Sequence, residues 1–263
     1  SCTAFPPTAF PLASLAADEA GSPHHLDHGA SLATIVLGAV AVATGRSEPA
    51  NAEDARLLWE SIGVARDPLS STVTVLGLPG DDSPLGAWLD AARRVSEPVT
   101  LTLADLRRWP RPPLPADRPA FVVENPSLLA EAATGGWDGP PLVCSCGRPT
   151  VAVVTLLRQL GATSVPLFQH ADFDPAGLAI TAWLQEKAGT VPWRMTAADY
   201  LVAARSREAT FDAVPPTPWD PELGEAMAER QIALYEEDVR ATILAAAATA
   251  SRAPCAGGRV RSG

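Results

Sequence analysis

Cysteine is scarce: four residues in 263, Cys2, Cys144, Cys146 and Cys255. So few and so scattered, they exclude a disulfide framework and make a reducing cytoplasm the default compartment. No apolar run is long enough for a membrane span. The strongest, residues 30–45, falls short of the roughly 18–20 residues a span needs and is built of small residues with two glycines. A packed helix is the reading, and no membrane association is expected. The segment before it, DEAGSPHHLDHG, is acidic and histidine-rich where a signal peptide would carry positive charge. Positive charge is also short, with 20 Lys and Arg against 30 Asp and Glu and a net charge of -10. That excludes coating of nucleic acid by bulk electrostatics and leaves any such contact local or delegated to a partner. Tyrosine is rarer still, present only as Tyr200 and Tyr235. There is no Gly-rich phosphate loop and no internal repeat. The chain starts at Ser1 instead of Met, which suggests a fragment or a processed form.

What is present is 47% hydrophobic and 19% charged residues with 26 prolines and 19 glycines, the composition of a globular, turn-rich protein. The length allows one large or two modest domains. Residues 1–23 read as a loose lead-in. Residues 24–118 read as a small mixed α/β module, compatible with a winged-helix remnant, with helices over 31–44, 53–62, 85–95 and 103–109 and a strand over 71–78. A proline-rich joint, WPRPPLPADRP (109–119), closes it. From 119 to 214 short apolar runs alternate with helices, which predicts an α/β layer with a parallel sheet flanked by helices. Strands are expected at 120–125, 141–147, 164–174 and 191–195. Thr196 and Asp199 fit a capping box. Asp220-Pro221-Glu222 opens what reads as one long C-terminal helix within 215–250, and residues 251–263 read as a frayed tail.

In open parallel sheets, chemistry collects at the carboxyl ends of strands. Here those ends are acidic: Glu124 closes the first strand, and Asp172 and Asp174 close the third in HADFDPAG. On an extended backbone, residues two apart point the same way, so Asp172 and Asp174 share a face. If the two strands are neighbours, three carboxylates converge, raising one another's pKa values unless a cation neutralises them. Oxygen-only donors with an open face suit Mg²⁺ or Mn²⁺, which activate water and stabilise a phosphodiester's leaving oxygen.

Glu at one strand end and Asp-x-Asp about fifty residues later resembles the Toprim domain of topoisomerases, primases and nucleases. More narrowly, FVVENP, PLVC-x-x-G-x-P-T, HADFDPAGL, PWRMTAADYL and WDPEL-x-x-AM resemble the Toprim nuclease subunit (JetD) family of type I Wadjet anti-plasmid systems, over roughly residues 24–248. That family is related to the A subunit of type IIB topoisomerases. The resemblance implies a Toprim-like fold and a metal-dependent DNA endonuclease that hydrolyses plasmid DNA within an SMC-like Wadjet defence complex. Glu124, Asp172 and Asp174 would be both catalytic and metal-binding, with Mg²⁺ or Mn²⁺ as cofactor. The implied partners are double-stranded circular DNA and the SMC-like ATPase complex, and a homodimer is a further partner the resemblance admits. A type IIB topoisomerase needs a tyrosine nucleophile before the Toprim domain. Both tyrosines here follow the acids, so hydrolysis by metal-bound water is the coherent chemistry and religation is not. The competing reading is a non-catalytic metal-binding or scaffold subunit of the same complex.

Other residues carry two readings each. His170, on the face of the acids by alternation, holds a phosphate or water, or is a hydrogen-bonded structural histidine. The HHLDH run (24–28) resembles a ligand set by composition, though a loop beside a helix start explains it. Cys144 and Cys146 read as small buried apolar residues, with zinc excluded by the lack of a second pair. Arg93, Arg94, Arg107, Arg108, Arg111 and Arg118 form a phosphate-contacting edge or a solvated, acid-bridged surface. Arg148 is placed to reach a phosphate at a helix start. Glu236, Glu237 and Asp238 add a ligand to a second metal, or form a solvated acidic face.

Overall fold

The computed structural model describes residues 10–62, 64–65, 68–109, 112–116, 118–203, 211 and 213–250. The tail 251–263 with Cys255, Cys2, and Arg111 and Asp117 of the arginine-rich stretch lie outside the described residues. The chain divides into two units: one holds residues up to Thr72 together with Thr102–Arg108, and the other holds Val73–Leu101 and the chain from Trp109 onward.

The first unit begins with a two-residue strand β1 (Phe10–Pro11), parallel to β2 (Val64–Ala65), and contains helices α1 (Leu12–Ala20), α2 (Ser31–Thr44) and α3 (Ala52–Ser61). Helix α1 corrects the loose lead-in expected over 1–23. LASLAADEA is made of strong helix formers, and Leu12 and Ala16, four apart, are buried on one face. Gly21, in the left-handed region at φ 76°, ends the helix. Helix α2 buries Ala33, Leu37 and Ala41 at the same four-residue spacing. Leu12, Ala16, Leu37 and Ala41 form one apolar cluster with Leu26, Ala55, Leu58, Trp59 and Val64. Among the described residues no helix is long and apolar enough to cross a membrane.

The second unit is an α/β layer. After β3 (Thr72–Leu76), α4 (Pro84–Arg94) and β4 (Val99–Thr102), the chain passes through α5 (Leu103–Arg108) of the first unit. It then runs β5 (Ala120–Val123), α6 (Pro126–Thr134), β6 (Leu142–Cys144), α7 (Val151–Ala162), β7 (Leu167–Gln169), α8 (Pro175–Ala188) and β8 (Val191–Pro192). The six strands form one mixed sheet in the order β4-β3-β6-β5-β7-β8, so it takes in two strands from before the proline-rich joint. One of these, β4, carries no expectation from the sequence. β5 pairs parallel with both β6 and β7, β8 is parallel to β7, and β3 is antiparallel to β6. Period-2 alternation puts Phe121, Val123, Leu142 and Cys144 in one apolar cluster with Leu128, Leu129 and Ala132 of α6. Ile243, Leu244 and Ala247 of the last helix complete it.

The C-terminal region is not one helix. It is α9 (Ala197–Ala203), then α10 (Pro221–Arg230) and α11 (Glu236–Ala250), separated by five residues. The expected long helix breaks because Gln231 adopts the left-handed conformation, φ 51°, and donates its N–H to Met227 O. The chain beyond it is drawn to Phe173, whose N–H donates to Leu234 O at 2.8 Å while Leu234 N–H donates back at 3.3 Å. Phe173, Leu178, Met195, Tyr200, Leu223, Met227 and Leu234 close a second apolar cluster around this crossing.

Candidate functional site

From β5 the chain reaches β6 on one side, then returns past β5 to β7 on the other. That reversal opens a crevice at the carboxyl end of β5, the place where ligands enter open α/β sheets. Glu124 follows β5 directly, and Asn125-Pro126 starts α6, the Asn125 side chain accepting from Ser127 N–H at 2.9 Å. On the adjacent strand, His170 N–H still donates to Val122 O at 2.9 Å, but regular pairing ends at Gln169.

The sheet brings Glu124 and Asp172 together, with the Asp172 amide donating to Glu124 Oε2 at 3.3 Å. Asp174 lies close enough for its charge to add to the raised pKa values of both Glu124 and Asp172. It is the N-cap of α8, its Oδ1 accepting from Gly177 N–H at 2.7 Å with Pro175 in the first turn. The expected strand over 164–174 is three residues long, and Phe173 beyond it forms an isolated bridge with Leu234. Gly177 is required here, because a Cβ on it would collide with the Asp172 carbonyl.

Glu236, the first residue of α11, occupies the centre of the site. It is fully buried, and its Oε2 accepts from Glu124 N–H at 2.9 Å and Asn125 N–H at 2.6 Å. Its Oε1 is 3.1 Å from His170 Nδ1, and its own N–H donates to Asp172 Oδ1 at 2.7 Å. Beside it, Asn125 Nδ2 donates to Glu237 Oε1 at 2.6 Å. The sequence offered a solvated acidic face or a second metal ligand for Glu236. Only the break after Gln231 makes this residue a helix start instead of one turn among many, and the acidic triplet itself was the one available signal.

Burial and the Asp172 charge push Glu124 up to about 7. Burial, against the Glu236 amide, pushes Asp172 up to about 6. Burial likewise raises Glu236 to about 8, against the pull of the Asn125 and Glu124 amides, and lowers His170 to about 4. Burial thus disfavours the charged form of both partners in the His170–Glu236 hydrogen bond. His170 is the buried, hydrogen-bonded histidine of its two readings.

A divalent cation fits the chemistry of these donors, since they are oxygen-only and their raised pKa values mark carboxyls without a compensating charge. Their placement is not a closed cage: among the described residues no three His, Cys, Asp or Glu side chains are gathered to hold a metal ion. Glu124 and Asp172 are adjacent, and Asp174 is engaged as a cap at one oxygen.

The remaining candidates fall elsewhere. His24 Nδ1 pairs with Asp27 at 2.9 Å and His25 Nδ1 with Ala20 O at 2.7 Å, the hydrogen bonding of a loop beside a helix. Arg107 and Arg108 lie on α5 in the first unit, whereas Arg93, Arg94 and Arg118 are in the second, and Arg93 pairs with Asp90 at 3.3 Å. Arg148 is exposed ahead of α7. Tyr200 is fully buried, donating its hydroxyl to Ile232 O at 2.8 Å. Cys144 is buried as expected, whereas Cys146 is exposed: the strand stops at Cys144, the chain turns, and the two sulfurs lie 3.5 Å apart.

No curated protein matches the chain. Residues 2–80 match a family described as "Protein of unknown function N-terminus (DUF3323)". Residues 99–246, which contain β5 through most of α11 and every acid of the site, match "Protein of unknown function C-terminus (DUF2399)". With more than half its length in that match, the chain belongs to the DUF2399 family.

Proposed function

We propose that the chain is a metal-dependent DNA endonuclease subunit, the Toprim nuclease of a Wadjet-like anti-plasmid complex. The observation that carries this reading is the pairing of Glu124 with Asp172 at the reversal point of the sheet, both with pKa values raised by burial. The DUF3323 and DUF2399 pair is the domain pair of JetD and Wadjet-like proteins, in keeping with the motif resemblance.

Glu124, Asp172 and Asp174 would hold Mg²⁺ or Mn²⁺. When bound, such an ion supplies Lewis-acid stabilisation of a phosphodiester's leaving oxygen and lowers the pKa of an attacking water. Glu124, poised near 7, exchanges a proton at Oε1, because Oε2 is engaged by the Asp172 amide. Asp172 is aimed by the Glu236 amide, and Glu236 in turn fixes the backbone of Glu124 and Asn125. Glu236 and His170 are thus positioning residues. Arg194, exposed, lines a cavity of about 550 Å³ with His170 and the acids Asp199 and Asp238.

The test combines calorimetric titration of Mg²⁺ and Mn²⁺ with cleavage of circular plasmid, for the wild type, Asp172→Ala/Asp174→Ala and Glu124→Ala. Cation binding and nicking or linearisation, both lost in the variants, are the expected result. Asp174 serving as a helix cap favours the scaffold reading, and plasmid restriction retained after all three acids are replaced would establish it instead.

A further inference from the structure

Cys144 is the last residue of β6, and the chain turns immediately after it. Cys146 takes φ 54°, a conformation uncommon for a residue with a Cβ, and Gly147 follows at φ 80°. The turn folds Cys146 back over Cys144, so that its N–H donates to Cys144 Sγ at 3.3 Å and the two sulfurs meet at 3.5 Å. One thiol is exposed and the other buried. The turn is anchored to the sheet: Ser145 N–H donates to Val123 O at 2.9 Å and Gly147 N–H to Glu124 O at 3.1 Å. A disulfide needs the sulfurs to close from 3.5 Å to about 2.05 Å.

We propose that Cys144 and Cys146 form a reversible dithiol–disulfide site that responds to hydroperoxides. Cys146, the exposed thiol, attacks the peroxide O–O bond, becoming a sulfenic acid as the other oxygen leaves as water. Cys144 then attacks that sulfur; the S–S bond forms, the S–O bond breaks, and the hydroxide leaves as water with the Cys144 proton. Two thiols lose two electrons and one hydrogen peroxide becomes two waters. An external dithiol reverses the reaction through a mixed disulfide at Cys146. Because Cys144 Sγ also donates to Glu124 O at 3.4 Å, oxidation removes one donor from the backbone that carries Glu124. The proposal is independent of the nuclease reading.

The full chain carrying Cys2→Ser and Cys255→Ser leaves this pair as its only thiols. After hydrogen peroxide, alkylation under denaturing conditions and peptide mass analysis, alkylatable thiols should fall from two to none. The 144–146 peptide should lose two hydrogens within one chain, and dithiothreitol should restore both thiols. Adding Cys146→Ser, an exposed change that spares the core, should leave Cys144 fully alkylatable after the same treatment. Cys146 advancing to sulfinic acid with Cys144 still reduced, a link between two chains, or no reaction at peroxide levels that oxidise free cysteine would each overturn the proposal.

Discussion

At the scale of single residues, the site is built on backbone amides received by buried carboxylates. Glu236 accepts two of them, so its removal is a problem of orphaned donors more than of lost charge. Glu236→Ala should destabilise the protein by about 1–3 kcal/mol, the cost of leaving buried N–H groups unpaired. Glu236→Gln keeps an acceptor for the amides and an N–H donor for His170, standing in for a carboxyl whose charged form burial disfavours. Urea unfolding should therefore place Gln near the wild type and Ala well below it; equal losses would contradict this hydrogen bonding. Gly177 makes a different demand, since the first turn of α8 lies against the Asp172 carbonyl where a side chain would stand. Gly177→Ala should cost about 1–3 kcal/mol through overpacking and displace Asp172, read together as a lower thermal midpoint and weakened cation binding.

Helix starts carry the architecture at the scale of elements. Asp220 caps α10 by accepting from Glu222 N–H at 3.1 Å and holds the Ala197 amide at the start of α9 at 2.8 Å. Asp220→Ala should lower stability by about 1–2 kcal/mol, in line with loss of an N-cap, and Asp220→Asn should recover most of it in thermal melts. The capping box of Thr196 with Asp199, and the proline-initiated starts at Asn125, Asp174 and Asp220, were legible because cap chemistry is local. The β-α alternation and Glu124 at a strand end were legible for the same reason. What the sequence hid was decided by distant partners. After β7 ends at Gln169, the chain pairs again at Phe173 with Leu234, sixty-one residues on. The same crossing divides the C-terminal helix and delivers Glu236, whose role no local pattern around it encodes. The Cys144–Cys146 contact rests on one left-handed residue, and cysteine is not a type that signals that conformation.

At the scale of the whole molecule, a net charge of -10 and a knot of buried acids make stability depend on pH in a definite direction. Glu124, Asp172 and Glu236 have folded pKa values of about 7, 6 and 8, above their unfolded values near 4 to 4.5. Between those limits the native state binds more protons than the unfolded chain, so each acid's contribution declines as pH rises through its window. His170 acts oppositely: lowered from 6.5 to about 4, it makes the unfolded chain the better proton binder there, and stability rises with pH across that interval. Asp81, held below the usual carboxylate range chiefly by the Ser83 hydroxyl, and Asp90, by the Gly80 amide, act only in more acidic solution. Below pH 6.5 the acids and His170 therefore partly offset each other, and between 6.5 and 8 the acids act alone. In chelator, urea midpoints should fall from pH 6.5 to 8, and Glu236→Gln should flatten that fall, because glutamine has no proton to lose. Millimolar Mg²⁺ should raise the pH 8 midpoint of the wild type, since a ligand bound only by the native state stabilises it, and leave Asp172→Ala/Asp174→Ala unmoved. A midpoint that rises with pH in chelator would mean that the acids are ionised and compensated in the native protein, removing the electrostatic reason for a cation at the end of β5.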